Sequence, residues 1–189
     1  RSPATPLPAV QVGAAWAAGY KGKNTTITVV DDFRSSSLLA GNLGTGALRL
    51  RHGEWTAKEA GLLAPAATLR TRDFTSGTTV PLATGFNVLN LSYGMYAPAG
   101  YQASRIGWSA QERSIIGYAV NGNALISKAA GNDGITVGAT NASGNVDYLD
   151  VALKGAKSAL IVGALNTNGT TAKPATLASY SNFAGADVT

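Results

Sequence analysis

The chain of 189 residues contains no cysteine and a single histidine, His52. Without cysteine, neither a disulfide framework nor a thiolate metal site can form. With one histidine, a reaction that requires an imidazole base has one candidate residue. Charged residues make up only 13% of the chain, about half the usual ~25%. No apolar run approaches the ~20 residues that a membrane-spanning helix needs, so no span is predicted.

Hydrophobic residues reach 45% of the chain, which is enough to form a buried core, and 23 glycines indicate many tight turns. The length and the lack of an internal linker predict one domain over residues 1–189. The low charge, together with many small and hydroxyl-bearing residues, favours an exported bacterial protein. We therefore expect a secreted, cell-surface or periplasmic location.

Lys and Arg outnumber Asp and Glu by 15 to 10, which gives a net charge of +5. A basic chain invites comparison with nucleic-acid-binding proteins. Here the basic residues are scattered, the densest pairs being Arg49/Arg51 and Arg70/Arg72, and no aromatic residues interleave with them. We therefore predict no nucleic-acid partner.

Apolar, β-branched runs alternate with helical patterns along the chain. Strands are predicted at residues 27–30, 68–71, 88–91, 124–129, 160–162 and 177–180. Helices are predicted at residues 9–18, 52–63, 110–122 (after a capping box at 109–112) and 146–153. This alternation predicts an α/β fold in which a mainly parallel central sheet is flanked by helices on both faces. Ligands of such sheets bind beyond the carboxyl ends of the strands.

Two adjacent carboxylates, Asp31 and Asp32, follow the first predicted strand, and His52 opens the second predicted helix. The N-terminus of a helix disfavours an imidazolium, which would keep the ring neutral and able to accept a proton. A carboxylate at the end of the strand would orient the ring and stabilise its protonated form. Either aspartate fits that role, and we favour Asp31 because the apolar run leads directly into it. Taken singly, each of these residues also fits a structural role in a turn or on the surface.

Four segments follow one another in a specific order. They are ITVVD ending at Asp31, His52-Gly53 opening a helix of small residues, LNLSYG at residues 89–94, and AAGNDG at residues 129–134. Stretches at residues 16–23, 62–69, 159–164 and 177–183 accompany them. Together these segments resemble the subtilisin-like serine proteases (subtilases) over most of residues 12–185.

The resemblance implies a subtilisin-like fold and serine endopeptidase activity. Carried over residue by residue, it makes Asp31 the carboxylate that orients the base and His52 the general base. Asn132 becomes the side-chain donor to the oxyanion. Two segments would bind the substrate: Ser92, Tyr93 and Gly94 pair with an extended peptide, while Ala129, Ala130 and Gly131 form the other wall of the pocket for the residue before the cut.

The sequence also departs from the family's pattern. Asp32 and Phe33 follow Asp31 where the family usually has Ser or Thr and then Gly, and Glu54 and Trp55 follow His-Gly. The Gly-Thr-Ser segment that holds the nucleophile is not found in the sequence. We therefore expect the N-terminal portion of a catalytic domain, incomplete at its C-terminus and inactive alone.

Three explanations for the lack of a nucleophile remain open: it lies on a separate chain, it was cut off, or it never existed. The last would make the chain a catalytically inactive domain for peptide binding or scaffolding. The partners implied by the resemblance are a protein or peptide substrate and the chain's own missing C-terminal segment. Structural calcium is common in the resembled family, so the resemblance leaves a calcium site open, but no dense group of aspartates identifies its ligands here and we name no metal-binding residue.

Overall fold

The structure is a computed structural model that describes residues 9–167, 169–170 and 172–185. Its helices are α1 (Ala9–Ala17), α2 (His52–Leu63), α3 (Ala110–Asn121) and α4 (Tyr148–Leu153), with a 3₁₀ turn at Ala103–Arg105. Its strands are β1 (Thr25–Asp31), β2 (Leu39–Gly41), β3 (Leu48–Leu50), β4 (Thr68–Asp73), β5 (Phe86–Leu91), β6 (Tyr96–Pro98), β7 (Leu125–Ala129), β8 (Asn145–Asp147) and β9 (Ala159–Val162).

The central sheet has five parallel strands in the order β4-β1-β5-β7-β9, with helices around it. This confirms the predicted α/β fold. The sheet forms where β-branched and apolar side chains are continuous: Val29 and Val30 of β1 are fully buried, as are Leu89 of β5 and Ile126 of β7. Such runs suit parallel strands, which are covered on both faces.

One compact unit comprises residues 1–76 and 83–90. In it β1 and β4 pair in parallel, and the register sets Asp31 opposite Asp73. Strands β2 and β3 form a short antiparallel pair. Helix α2 begins at His52 because the preceding residue, Arg51, is extended and its N–H donates to the Glu54 carboxylate at 2.7 Å.

The second unit comprises residues 77–82 and 91–189. In it β7 and β9 pair in parallel, whereas β6 and β8 pair antiparallel. Helix α3 begins where the Ser109 hydroxyl accepts a hydrogen bond from Gln111 N at 3.1 Å, and it ends at Gly122, which has a φ of 72°. Ile115 and Ala119 are the buried side of its predicted apolar face. The single domain expected over residues 1–189 stays a prediction.

Two predicted elements are wrong in part. The strand expected at residues 177–180 does not form: Leu177 makes one isolated bridge to Leu165, and the chain then turns as Ser181 N donates to Ala178 O. The helix expected from residue 146 begins only at Tyr148, because the residues before it pair with β6. The short strands β2, β3 and β6 were not predicted, since three residues carry too little periodicity.

Within the described part of the chain, no helix combines the length and apolar character that crossing a bilayer requires.

Two glycines of α2, Gly53 and Gly61, allow a test of the close packing next to His52. A Cβ added at Gly53 would lie 2.7 Å from the backbone oxygen of Asp32 and 2.7 Å from Phe33 Cζ. We expect Gly53→Ala to lower the free energy of unfolding by about 1–3 kcal/mol, because backbone cannot give way cheaply. The control is Gly61→Ala, whose Cβ would meet only the flexible end of Leu69 at 2.9 Å. Urea denaturation should show a change within about 1 kcal/mol for the control; equal losses would contradict this account.

Candidate active site

Asp31 and His52 are in direct contact. Asp31 is the last residue of β1 and is 2% exposed. Its Oδ1 and Oδ2 lie 2.8 Å and 3.0 Å from His52 Nδ1. Because an ionised carboxylate can only accept, this geometry requires that Nδ1 carries the proton. In the neutral ring, Nε2 is then the unprotonated nitrogen and can accept a proton.

Further donors hold the Asp31 carboxylate in place. Asp32 N donates to Oδ1 at 2.6 Å, and the Thr56 hydroxyl reaches Oδ2 at 3.3 Å. Thr56 stands one turn after His52 in α2, so the helix that carries the ring also supplies this second contact. Sequence reasoning missed Thr56, although its i+4 spacing from His52 was a usable signal.

The imidazole is half-exposed, with 49% of its side chain accessible, whereas the Asp31 side chain is 3% accessible. The hydrogen bond to Asp31 raises the pKa of His52 above the usual 6.5, against an opposing effect of partial burial; the negative charges of Asp31, Glu59 and Asp32 raise it further. This is the opposite of the direction expected from the helix N-terminus. A carboxylate at hydrogen-bond distance outweighs the more diffuse field of the helix.

Asp32, the alternative left open by the sequence, binds elsewhere. Its carboxylate accepts from Arg34 N at 3.2 Å and Ser35 N at 2.9 Å, and it also contacts the Ser35 hydroxyl. These hydrogen bonds, led by that of the Ser35 side chain, lower the pKa of Asp32. The carboxylate on His52 is therefore that of Asp31, while Asp32 closes the turn after β1. The catalytic roles themselves stay predictions.

Asp73, at the end of β4, supports the same loop. Its carboxylate accepts from Phe33 N at 3.0 Å and Thr75 N at 3.0 Å, and it contacts the Thr75 hydroxyl. Burial raises its pKa, but the hydrogen bonds from Thr75 and Phe33 and the charge of Arg34 lower it more, so the net shift is downward. Asp73 thus ties the chain that follows Asp31 to the neighbouring strand. Asp73 was not among the residues that the sequence singled out.

The second unit contains the segment predicted to pair with substrate. Ser92, Tyr93 and Gly94 follow β5 and are half-buried. The Tyr93 hydroxyl lies 3.4 Å from Glu112 Oε1. A Cβ added at Gly94 would lie 2.5 Å from Asp147 Oδ2, so this position accepts no side chain.

The other predicted wall ends β7. Ala129 and Ala130 lead to Gly131, whose φ of 101° favours glycine, and a Cβ there would lie 2.6 Å from Asn182 Nδ2. Buried Asn182 also accepts hydrogen bonds from Asp133 N at 2.9 Å and from Ile135 N at 3.2 Å. It therefore shapes the loop on which the predicted oxyanion donor, Asn132, lies exposed.

A buried charged cluster, absent from the sequence predictions, underlies these segments. Lys128 Nζ lies 3.0 Å from Asp147 Oδ2 and 3.0 Å from Asp150 Oδ1, and it donates to Ala129 O at 2.6 Å. All three charged side chains are buried. Burial raises the pKa of Asp150 to about 6, although the charge of Lys128 opposes this shift. Both Asp150 oxygens lack a well-aligned hydrogen bond, so its contact with Lys128 is chiefly electrostatic.

The structure thus brings Asp31 and His52 together in the first unit. Asn132 and the two predicted substrate segments belong to the second unit. Among residues 9–167, 169–170 and 172–185, no group of three or more His, Asp or Glu side chains could hold a metal ion.

No protein-family model matches the sequence, and no curated protein matches it. Among solved structures, the chain is similar to a lanthipeptide protease, with a TM-score of 0.53 and 16% identity over 89% of this chain and 55% of that one. It also aligns with the MycP3 protease from the type VII (ESX-3) secretion system, with a TM-score of 0.43 and 20% identity over 84% of this chain and 57% of that one. The chain spans little more than half of either structure. The first likeness shows a protease-like fold.

The single histidine allows a direct test of the Asp31–His52 contact. We expect the Cε1 proton of His52 to titrate in NMR with a pKa above 6.5, and we expect Asp31→Asn to lower that pKa. The control is Asp32→Asn, which removes only a more distant charge and should shift the pKa less. An equal or larger shift in the control would contradict the assignment of Asp31.

The same shift sets a pH dependence of stability. Because folding raises the pKa of His52, its stabilising contribution is fully present below about pH 6.5 and is lost as the pH rises through the folded-state value. The ring is half-exposed, so this contribution should not exceed about 1 kcal/mol.

Proposed function

We propose that this chain supplies the base and its orienting carboxylate to a serine-type endopeptidase. The observation that carries the proposal is the contact between buried Asp31 and half-exposed His52, 2.8 Å apart. A proton on Nδ1 leaves Nε2 able to take a proton from a hydroxyl, and a buried carboxylate stabilises the imidazolium that results. The protease-like fold supports this reading.

In the proposed reaction, His52 Nε2 accepts the proton of a serine hydroxyl as its oxygen attacks the scissile carbonyl carbon. The same proton then passes to the leaving amine as the C–N bond breaks. In the second half of the reaction, His52 takes a proton from water, the water oxygen attacks the acyl-enzyme, and the proton returns to the serine oxygen as the acid product leaves. The Asn132 amide would donate to the oxyanion, and loss of one such donor costs roughly 10²–10³ in turnover. Because the Gly-Thr-Ser segment is not found in the sequence, the serine would come from outside these residues, and this chain alone would be inactive.

The substrate would be an extended peptide paired with Ser92, Tyr93 and Gly94, with Ala129, Ala130 and Gly131 as the opposite wall. At both walls the glycine lets side chains of this chain pack against the backbone: Asp147 and Tyr96 lie close to Gly94, and Asn182 and Tyr96 lie close to Gly131. The pairing with a peptide is taken from the resemblance to the subtilisin-like proteases. An exported location, secreted, cell-surface or periplasmic, belongs to the same proposal and is supported by the low charge of the chain.

A second candidate function is a catalytically inactive domain that binds or scaffolds peptides. The specific observation in its favour is that the sequence has no nucleophile segment of the resembled family. Both candidates share the two wall segments and differ only in whether His52 ever acts on a serine.

A fluorophosphonate probe, which reacts with activated serine hydroxyls, separates the two candidates. We expect the complete native gene product to be labelled and to hydrolyse an unfolded protein substrate. His52→Ala should abolish both signals, and Asp31→Asn should slow turnover by about 10⁴ because the ring loses its orienting carboxylate. The matched control, Asp32→Asn, should retain most activity.

The 189-residue chain alone should not be labelled. Labelling of that chain would overturn the proposal that the serine comes from outside it. A complete native gene product that is neither labelled nor active would exclude a peptidase whose serine is encoded by the same gene. It would leave the peptide-binding candidate and a serine on a separate chain.

A further inference from the structure

The side chain of Tyr96 spans the space between the two wall segments. Its Cε2 atom lies 2.5 Å from the position that a Cβ on Gly94 would occupy. At the other end, its hydroxyl lies 3.3 Å from the corresponding position on Gly131 and 3.4 Å from Asp133 Oδ2. One ring therefore touches both walls and fills the space between them.

The backbone on which Tyr96 stands is held from two directions. Tyr96 begins β6 and pairs with Asp147 of β8. Immediately before it, Met95 N donates to Asp147 Oδ1 at 2.9 Å, and Met95 O accepts from Tyr148 N at 2.9 Å. These contacts hold the backbone of Tyr96 and so fix the direction of its Cα–Cβ bond. To move the ring away from the walls, the side chain would have to change its rotamer.

Tyr96 also lies next to the buried charged cluster, since its strand partner is Asp147. Asp147 is 4% exposed and Lys128 1% exposed, whereas Tyr96 itself is 46% exposed. The ring thus lies close to one member of a buried ion pair, and nearly half of the residue is open to solvent. Burial of the hydroxyl and the nearby charges of Asp147, Asp133 and Asp150 raise the pKa of Tyr96 to about 12, so the side chain stays neutral.

We propose that Tyr96 is a specificity-determining residue, which restricts the pocket between the two wall segments to a small side chain of a bound peptide. The inference rests on the proposed function, because it takes those segments as the peptide site. Glycine, alanine or serine would fit above the ring. A phenylalanine or leucine would have to displace the ring from its contacts with Gly94 and Gly131, which costs free energy because the packing of the ring against both walls is lost.

The test is peptide binding to the 189-residue chain, measured by fluorescence anisotropy. A set of labelled alanine-rich hexapeptides carries Ala, Leu or Phe at each position in turn. At one position we expect Ala to bind at least about tenfold more tightly than Phe, the order expected when a pocket rejects extra methylenes. Tyr96→Ala should abolish or reverse that preference, and Tyr96→Phe, which keeps the ring, should retain it.

The matched control is Tyr101→Ala. Tyr101 lines a neighbouring cavity of about 480 Å³ that Tyr96 also borders, but it contacts neither wall glycine. It should leave the size preference unchanged. Binding without any size preference, or with a preference that Tyr96→Ala does not alter, would overturn the inference while leaving the proposed function standing. If no peptide binds to any variant, the peptide site itself fails, and the inference falls with it.

Discussion

The buried carboxylate of Asp31 is the constraint on which the first unit depends. A charge that is 2% exposed must be satisfied by hydrogen bonds, because removing it from water costs several kcal/mol. The unit meets this need with the imidazole of His52, the backbone of Asp32 and the hydroxyl of Thr56. Two of these donors come from one helix, so the carboxylate also fixes where α2 lies against the end of β1. In this unit, the hydrogen bonds that satisfy the buried carboxylate are therefore also the ones that position the proposed base.

Much of the first unit was predictable from the sequence, because the local sequence patterns favour the same elements that the tertiary contacts stabilise. The β-branched run that ends at Asp31 and the small-residue helix that opens at His52 carry clear periodicity, and both elements form where expected. The choice between Asp31 and Asp32 was harder, because a shift of one residue changes which of two adjacent side chains faces the helix. The structure separates them by their partners: Asp31 contacts the ring, and Asp32 caps a turn. The direction of the His52 pKa was not predictable from the helix alone, because it depends on a contact across 21 residues.

The second unit was predicted less well, for a physical reason. Lys128 interrupts an apolar strand, and its partners Asp147 and Asp150 lie on β8 and α4, which are distant from β7 in the sequence. No periodic pattern in a single segment encodes such a cluster. The position of Tyr96 depends on the pairing of β6 with β8. The wall segments were read from motifs, whereas what fills the space between them comes from tertiary packing.

The central claim is that Asp31 holds His52 in the tautomer whose Nε2 is a free base, and ¹⁵N NMR of the imidazole tests it most directly. The sequence has one histidine, so the ring nitrogens can be assigned without ambiguity. Above the pKa of His52, we expect a protonated Nδ1 and an unprotonated Nε2. In Asp31→Asn, we expect a larger share of the ring to carry its proton on Nε2. A ring that is protonated on Nε2 at the same pH, with Nδ1 free, would contradict the account.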